Sequence, residues 1–244
     1  MKFEPLPFFD ERRAGVEMIV LHATAFEAEE ALRLYADKKV SCHYFIGGDG
    51  EIYRLVDENK RAWHAGAGRW REFSGDINSR SIGIELANKT LGQNYFSKEQ
   101  KDALSGLLKD ILRRYEIKQV NIVGHSDIAP ARKADPGKGF FWQELANEGI
   151  GLWPDLRDAD KMAEKTLPDL LAMIGYDTVN IRAAAYAFCR RFLAGKVTTV
   201  EDVWALDANP GEADDALLQD EEFERVLRAT AYKYLSESNT PCRI

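Results

Sequence analysis

Three short apolar runs constrain the fold most: Met18-Ile19-Val20-Leu21-His22, Ile82-Gly83-Ile84-Glu85-Leu86, and Val120 to Val123 followed by Gly124-His125. Each has the length of a strand and carries a chemically active side chain at or near its end. Side chains alternate between the two faces of a strand, so Met18, Val20 and His22 share one side, and Gly83 and Glu85 lie opposite Ile82, Ile84 and Leu86. Helical spacing lies between these runs. Leu104, Leu107, Leu108, Ile111 and Tyr115 recur with that period after a capping box of Ser97 and Gln100, and Thr24 with Glu27 predicts another box before a helix through Tyr35. Residues 42–46 and 51–56 bracket Gly47-Gly48-Asp49-Gly50 as a β-hairpin. Strands interleaved with helices predict an α/β fold with a mixed central β-sheet flanked by helices.

The pattern turns helical after Trp153-Pro154. Leu167, Leu170, Leu171 and Ile174, then Ile181, Ala184, Phe188 and Phe192, then Phe223, Val226, Leu227 and Tyr234 predict a small C-terminal helical bundle. Gly175-Tyr176-Asp177 breaks the first two helices, and the acidic stretch from Asp207 to Glu222 reads as a solvated loop before the last. The expected organisation is residues 1–155 as one domain and residues 156–244 as a helical one.

A formal net charge of -7 argues against nucleic acid or an anionic membrane as the partner. Cys42, Cys189 and Cys242 form no paired framework, and the first two read as buried thiols. Met1 to Pro7 holds neither a long apolar core nor a lipoprotein-type cysteine, which predicts a cytoplasmic chain without membrane insertion; a periplasmic location is the alternative if an export signal is missing from the sequence.

The loop from Gly124 to Gly137 places His125, Lys133 and Asp135 just after a strand, the raw material of a hydrolytic metal site. A catalytic zinc takes three ligands from His, Asp, Glu and Cys and leaves a fourth position open, and His22 at the end of another strand offers the third. There is no H-E-x-x-H, no paired C-x-x-C, no G-x-S-x-G elbow and no P-loop. His43 sits in an apolar strand and reads as a hydrogen-bonded residue, whereas Trp63 and His64, followed by Ala65-Gly66, suit a substrate groove.

In order along the chain, Val20-Leu21-His22-Ala23-Thr24, Ser41 to Ile46, Asp49-Gly50-Glu51-Ile52, Ala62-Trp63-His64-Ala65-Gly66, Ser81 to Leu86 and the loop from Gly124 to Gly137 resemble the zinc-dependent N-acetylmuramoyl-L-alanine amidases and peptidoglycan recognition proteins. The resemblance covers roughly the first 150 residues. It implies a Zn2+ cofactor held by His22, His125 and Asp135. It also implies Glu85 as the catalytic carboxylate, Lys133 as the cation that stabilises the oxyanion, and Tyr44, Trp63 and His64 on the substrate side. Cobalt or another divalent ion is compatible with the same ligands.

The expected activity is hydrolysis of the amide between N-acetylmuramic acid, or its anhydro form, and the L-alanine of the peptidoglycan stem peptide, in wall turnover or muropeptide recycling. Peptidoglycan fragments are the expected partners, and the oligomeric state is open. A non-catalytic peptidoglycan-binding receptor is the alternative, disfavoured because the full set of five site residues is present. The C-terminal helices weakly resemble a peptidoglycan-binding domain through their Gly175-Tyr176 turn; packing against the first domain is the other reading.

Overall fold

The computed structural model describes residues 1–238 and 240; Cys242 lies outside the described residues. Among these residues the central sheet has six strands: β1 (Lys2–Phe3), β2 (Met18–Thr24), β3 (Tyr44–Ile46), β4 (Ile52–Arg54), β5 (Ser81–Ala87) and β6 (Ile122–Gly124). Their spatial order is β1-β4-β3-β5-β2-β6. The β3–β4 hairpin is antiparallel, and β5, β2 and β6 run parallel to one another, so the sheet is mixed as expected. Short antiparallel ribbons join Phe9–Glu11 to Lys60–Ala62 and Ala67–Trp70 to Phe73–Asp76.

Register explains the clustering of function. His22 lies beside Glu85, and Gly124 beside Leu21, so the residue after Gly124 falls level with His22. Glu85, His22 and His125, the residue just past the end of β6, therefore lie in one row. The opposite face is apolar: Ile19, Leu21, Ile82, Ile84, Leu86 and Ile122 pack on Leu104, Leu107, Leu108 and Ile111 of α2 (Lys98–Arg114) and on Trp142 and Leu145. Ser97 and Gln100 form the expected capping box on α2. The box expected at Thr24 and Glu27 does not form, because Thr24 still belongs to β2; α1 (Ala28–Lys38) starts after Glu27, whose carboxylate instead accepts from Gly48 N–H.

On the functional face α1 covers one side, with Ala31 and Tyr35 against Phe45 and Ala87. The other side is covered by α3 (Leu167–Ile174), α4 (Ile181–Phe192) and α5 (Glu221–Ser236), whose Leu171, Phe188 and Tyr234 share a core with Met18, Val20 and Val123. The acidic stretch is not wholly a loop. Asp207 belongs to a helix at Val203–Ala208, and Asp214 caps another at Asp215–Leu218. Cys42 and Cys189 are buried free thiols, and no helix among the described residues is long and apolar enough to cross a membrane.

Asp127 binds the two parts together. Its carboxylate accepts from Gly124 N–H at 2.8 Å, from the Tyr176 hydroxyl at 2.7 Å and from Arg191 Nη1 at 2.7 Å, with Asp127 and Arg191 both buried. Arg191 also donates to the Ile122 carbonyl and lies 4.0 Å from the Trp142 ring centroid. Removing one partner of such a pair leaves a buried charge uncompensated and costs about 3–5 kcal/mol. Arg191→Met should lose that much stability in denaturant unfolding, and adding Asp127→Asn should recover part of it; an unchanged midpoint in the single variant would show that the pair bears no load.

Candidate active site

His22 Nδ1, His125 Nδ1 and Asp135 Oδ2 converge on one point. The nitrogens are 3.0 Å apart, and the carboxylate oxygen lies 3.2 Å from His22 and 3.1 Å from His125. Hydrogen bonds on the outer side of each ring assign the protons. The Ser81 hydroxyl donates to the Ile77 carbonyl at 2.8 Å and so accepts from His64 Nε2–H at 3.3 Å; His64 Nδ1 then accepts from His22 Nε2–H at 3.0 Å. His125 Nε2–H donates to the Ala65 carbonyl at 3.0 Å. Both imidazoles therefore turn an Nδ1 lone pair inward beside a carboxylate oxygen.

Three acceptors this close repel one another unless a cation lies between them. Tetrahedral coordination at about 2.0–2.1 Å from each ligand separates ligand atoms by roughly 3.3 Å, close to the observed triangle. The donor set of two neutral imidazoles and a carboxylate fits zinc, and it leaves a fourth direction for substrate or water. The electrostatics agree with this. Burial and the neighbouring His125 depress His22 to about 4, keeping it neutral. Burial opposes ionisation of Asp135, but the charge and hydrogen bond of His125 and the hydrogen bond of His22 hold it well below the usual carboxylate range.

Glu85 is half-buried next to this triangle. Burial first, then the charge of Asp135, pushes its carboxyl up to about 8, with the Tyr35 hydroxyl and Lys133 acting in the opposite direction. Lys133 also faces the site, but its ammonium is paired with Asp207 at 3.1 Å. The cation expected at Lys133 thus has a partner from the C-terminal region. Arg132 donates to the Ala65 and Ala67 carbonyls and braces the wall behind His125.

These groups line a cavity of about 460 Å³ with Phe26, Tyr35, Trp63, His64, Val203 and Trp204. Trp63 is on the wall. His64 lines the cavity too, yet its ring serves His22, and it packs so closely over Gly83 that a Cβ there would lie 2.4 Å from the imidazole. Tyr44 does not reach the site. Its register beside Ile84 sends it to the opposite face, where its hydroxyl donates to Glu58 at 2.7 Å. His43 is a hydrogen-bonded interior residue, accepting from Gly83 N–H and held neutral, at about 3, by burial and by Arg12. Tyr35, Trp204 and Asp207 were missed as site residues, since a helix-end tyrosine and an acidic stretch far along the chain carry no signal that they meet at His22.

Residues 11–138 match the family Amidase_2, N-acetylmuramoyl-L-alanine amidase. The chain is 41% identical over 186 residues to the N-acetylmuramoyl-L-alanine amidase AmiD of Escherichia coli (strain K12), covering 66% of this chain and 67% of that protein. It is 41% identical over 110 residues to the 1,6-anhydro-N-acetylmuramyl-L-alanine amidase AmpD of Citrobacter freundii, covering 44% of this chain and 56% of that one. Its fold is similar to the solved complex of the Escherichia coli AmiD with anhydro-N-acetylmuramic acid-L-Ala-D-gamma-Glu-L-Lys, with a TM-score of 0.73, 34% identity and 90% of each chain covered. A family match over more than half of the chain, joined to a shared fold through the C-terminal helices, supports one assignment: the chain belongs to the N-acetylmuramoyl-L-alanine amidase family.

Proposed function

We propose that the chain is a zinc-dependent amidase that cleaves the bond between the lactyl group of N-acetylmuramic acid, including its 1,6-anhydro form, and the L-alanine of the stem peptide. The observation that carries this reading is the convergence of the two inward lone pairs and the Asp135 carboxylate beside Glu85. His22, His125 and Asp135 would hold the metal. When bound, zinc supplies Lewis acidity, polarising a carbonyl and lowering the pKa of water toward about 7.

The remaining work falls to the protein. Glu85 takes the proton released by the attacking water and returns it to the departing nitrogen, as a general base turned general acid. Lys133, positioned by Asp207, places positive charge where the tetrahedral oxyanion develops. Trp63 walls the groove, and His64 fixes the tautomer of His22. We assign the chemistry to residues 1–155 and give residues 156–244 the role of a buttress that shares their core.

Mass-spectrometric product analysis tests the activity, with a soluble anhydro-muropeptide and intact peptidoglycan offered separately and a chelated sample as control. Chelator-sensitive release of stem peptide from the soluble substrate is expected; binding without cleavage of either substrate would favour a receptor. Glu85→Ala should retain one zinc per chain and lose about a hundredfold to ten-thousandfold in turnover, whereas Asp135→Ala should lose both metal and activity. His64→Ala should weaken zinc binding about tenfold to a hundredfold through loss of the tautomer lock, read by competition with a chromogenic chelator. Unchanged affinity would remove His64 from that role.

A further inference from the structure

The helix Val203–Ala208 lies far along the chain from Ile122–Gly124, the last strand of the sheet, yet it forms part of the wall around the proposed metal ligands. It is firmly held. Leu206 is buried with Leu91 and Ala134, the Asp202 carboxylate accepts from Trp204 N–H at 2.9 Å, and the Gln93 side-chain amide both donates to the Val200 carbonyl and accepts from Val200 N–H. Trp204 on this anchored helix is nevertheless 60% exposed. Its ring lies 5.7 Å from that of Phe26 at 50°, and both residues line the cavity that contains His22, Glu85 and Asp135. Packing does not account for a large apolar ring presented this way, whereas a ligand with an apolar face does.

We propose that Trp204 and Phe26 form the subsite that receives the sugar ring of the muropeptide, so that the C-terminal region contributes directly to substrate recognition. The proposal rests on the amidase reading above. Charge separates the sugar from the peptide. Asp207 follows Trp204 by three residues, on the same side of the helix, and its carboxylate and the Lys133 ammonium neutralise each other at this wall. A γ-linked D-glutamate leaves its α-carboxylate free, so the stem peptide carries negative charge, which this neutral pair does not attract. Lys38 and Arg132 line other parts of the cavity and suit that charge. The muramyl ring is uncharged, with C–H faces that pack on indole and phenyl rings.

The test uses the zinc-loaded full chain and two substrates, anhydro-N-acetylmuramyl-L-Ala-D-γ-Glu-L-Lys and the D-lactyl peptide that lacks the sugar. Trp204→Ala should raise KM for the first roughly tenfold while changing kcat little, with a much smaller penalty on the second, and Trp204→Phe should restore most of the loss. Equal penalties on both substrates, or none on either, would overturn the proposal. Saturation-transfer NMR with anhydro-N-acetylmuramic acid alone provides a readout that does not need turnover. Contacts to the sugar seen with the native chain and lost in Trp204→Ala support the subsite, and contacts that persist in the variant refute it. A native chain that binds this sugar through Trp204 but cleaves neither peptide would instead sink the amidase reading. Matching thermal melts establish that the variants are folded.

Discussion

The Asp127 carboxylate holds the N-terminus of the turn that carries His125, and it does so from inside the protein, bonded to Gly124 N–H, Tyr176 and Arg191. His125 and Asp135 belong to the same loop, and Ser126 N–H donates to the Asp135 carbonyl at 2.8 Å, so the position of the turn is passed on to both proposed ligands. Tyr176 and Arg191 come from the helical region. The geometry of the centre therefore depends on contacts made by residues far beyond those that would bind metal. A buried ion pair is weak evidence for stability, but with three hydrogen bonds to one carboxylate it fixes where a loop can lie.

Within that frame, hydrogen bonds on the outer side of the rings organise the centre. The path from His22 through His64 and Ser81 to the Ile77 carbonyl, and the bond from His125 to Ala65, use up the outward protons and leave the lone pairs facing inward. Burial reinforces this by disfavouring the protonated imidazole of His22. Gly83 makes the arrangement possible, since a side chain there would occupy the space of the His64 ring. The arrangement suits the proposed cation as it stands, which would reduce the reorganisation that binding requires.

Glu85 and Lys133 have different kinds of surroundings. The carboxyl of Glu85 is recessed against Tyr35 of α1, and the Lys133 ammonium is tied to Asp207 from the other side of the cleft. The two covering elements of this sheet face, α1 and the helical region, thus each supply a partner to one of the groups proposed to act on the substrate. Phe26, just before α1, and Trp204 of the helical region meet in the lining of the same cavity. Movement of the helix Val203–Ala208 relative to β2 would alter the proposed oxyanion cation and the proposed sugar wall together.

The alternation in Met18–His22 and Ile82–Leu86 made the strands, the two-faced sheet and the faces on which His22 and Glu85 lie readable, because a period of two and an apolar face are properties of local sequence. The Ser97–Gln100 cap was readable for the same reason, as a contact over three residues. Tyr44 was assigned to the wrong side of the sheet for function, since its face depends on its register with Ile84 rather than on its neighbours in the chain. Thr24 resembled a cap, but the β2 ladder continued through it. The motifs and their order thus pointed to the family, the sheet and the proposed ligand triad. Only the tertiary structure decided that Asp207 would meet Lys133, that Trp204 would face Phe26 and that Arg191 would secure Asp127. Those pairs join residues far apart in sequence, and packing of the C-terminal helices on the sheet, which no local period encodes, brings them together.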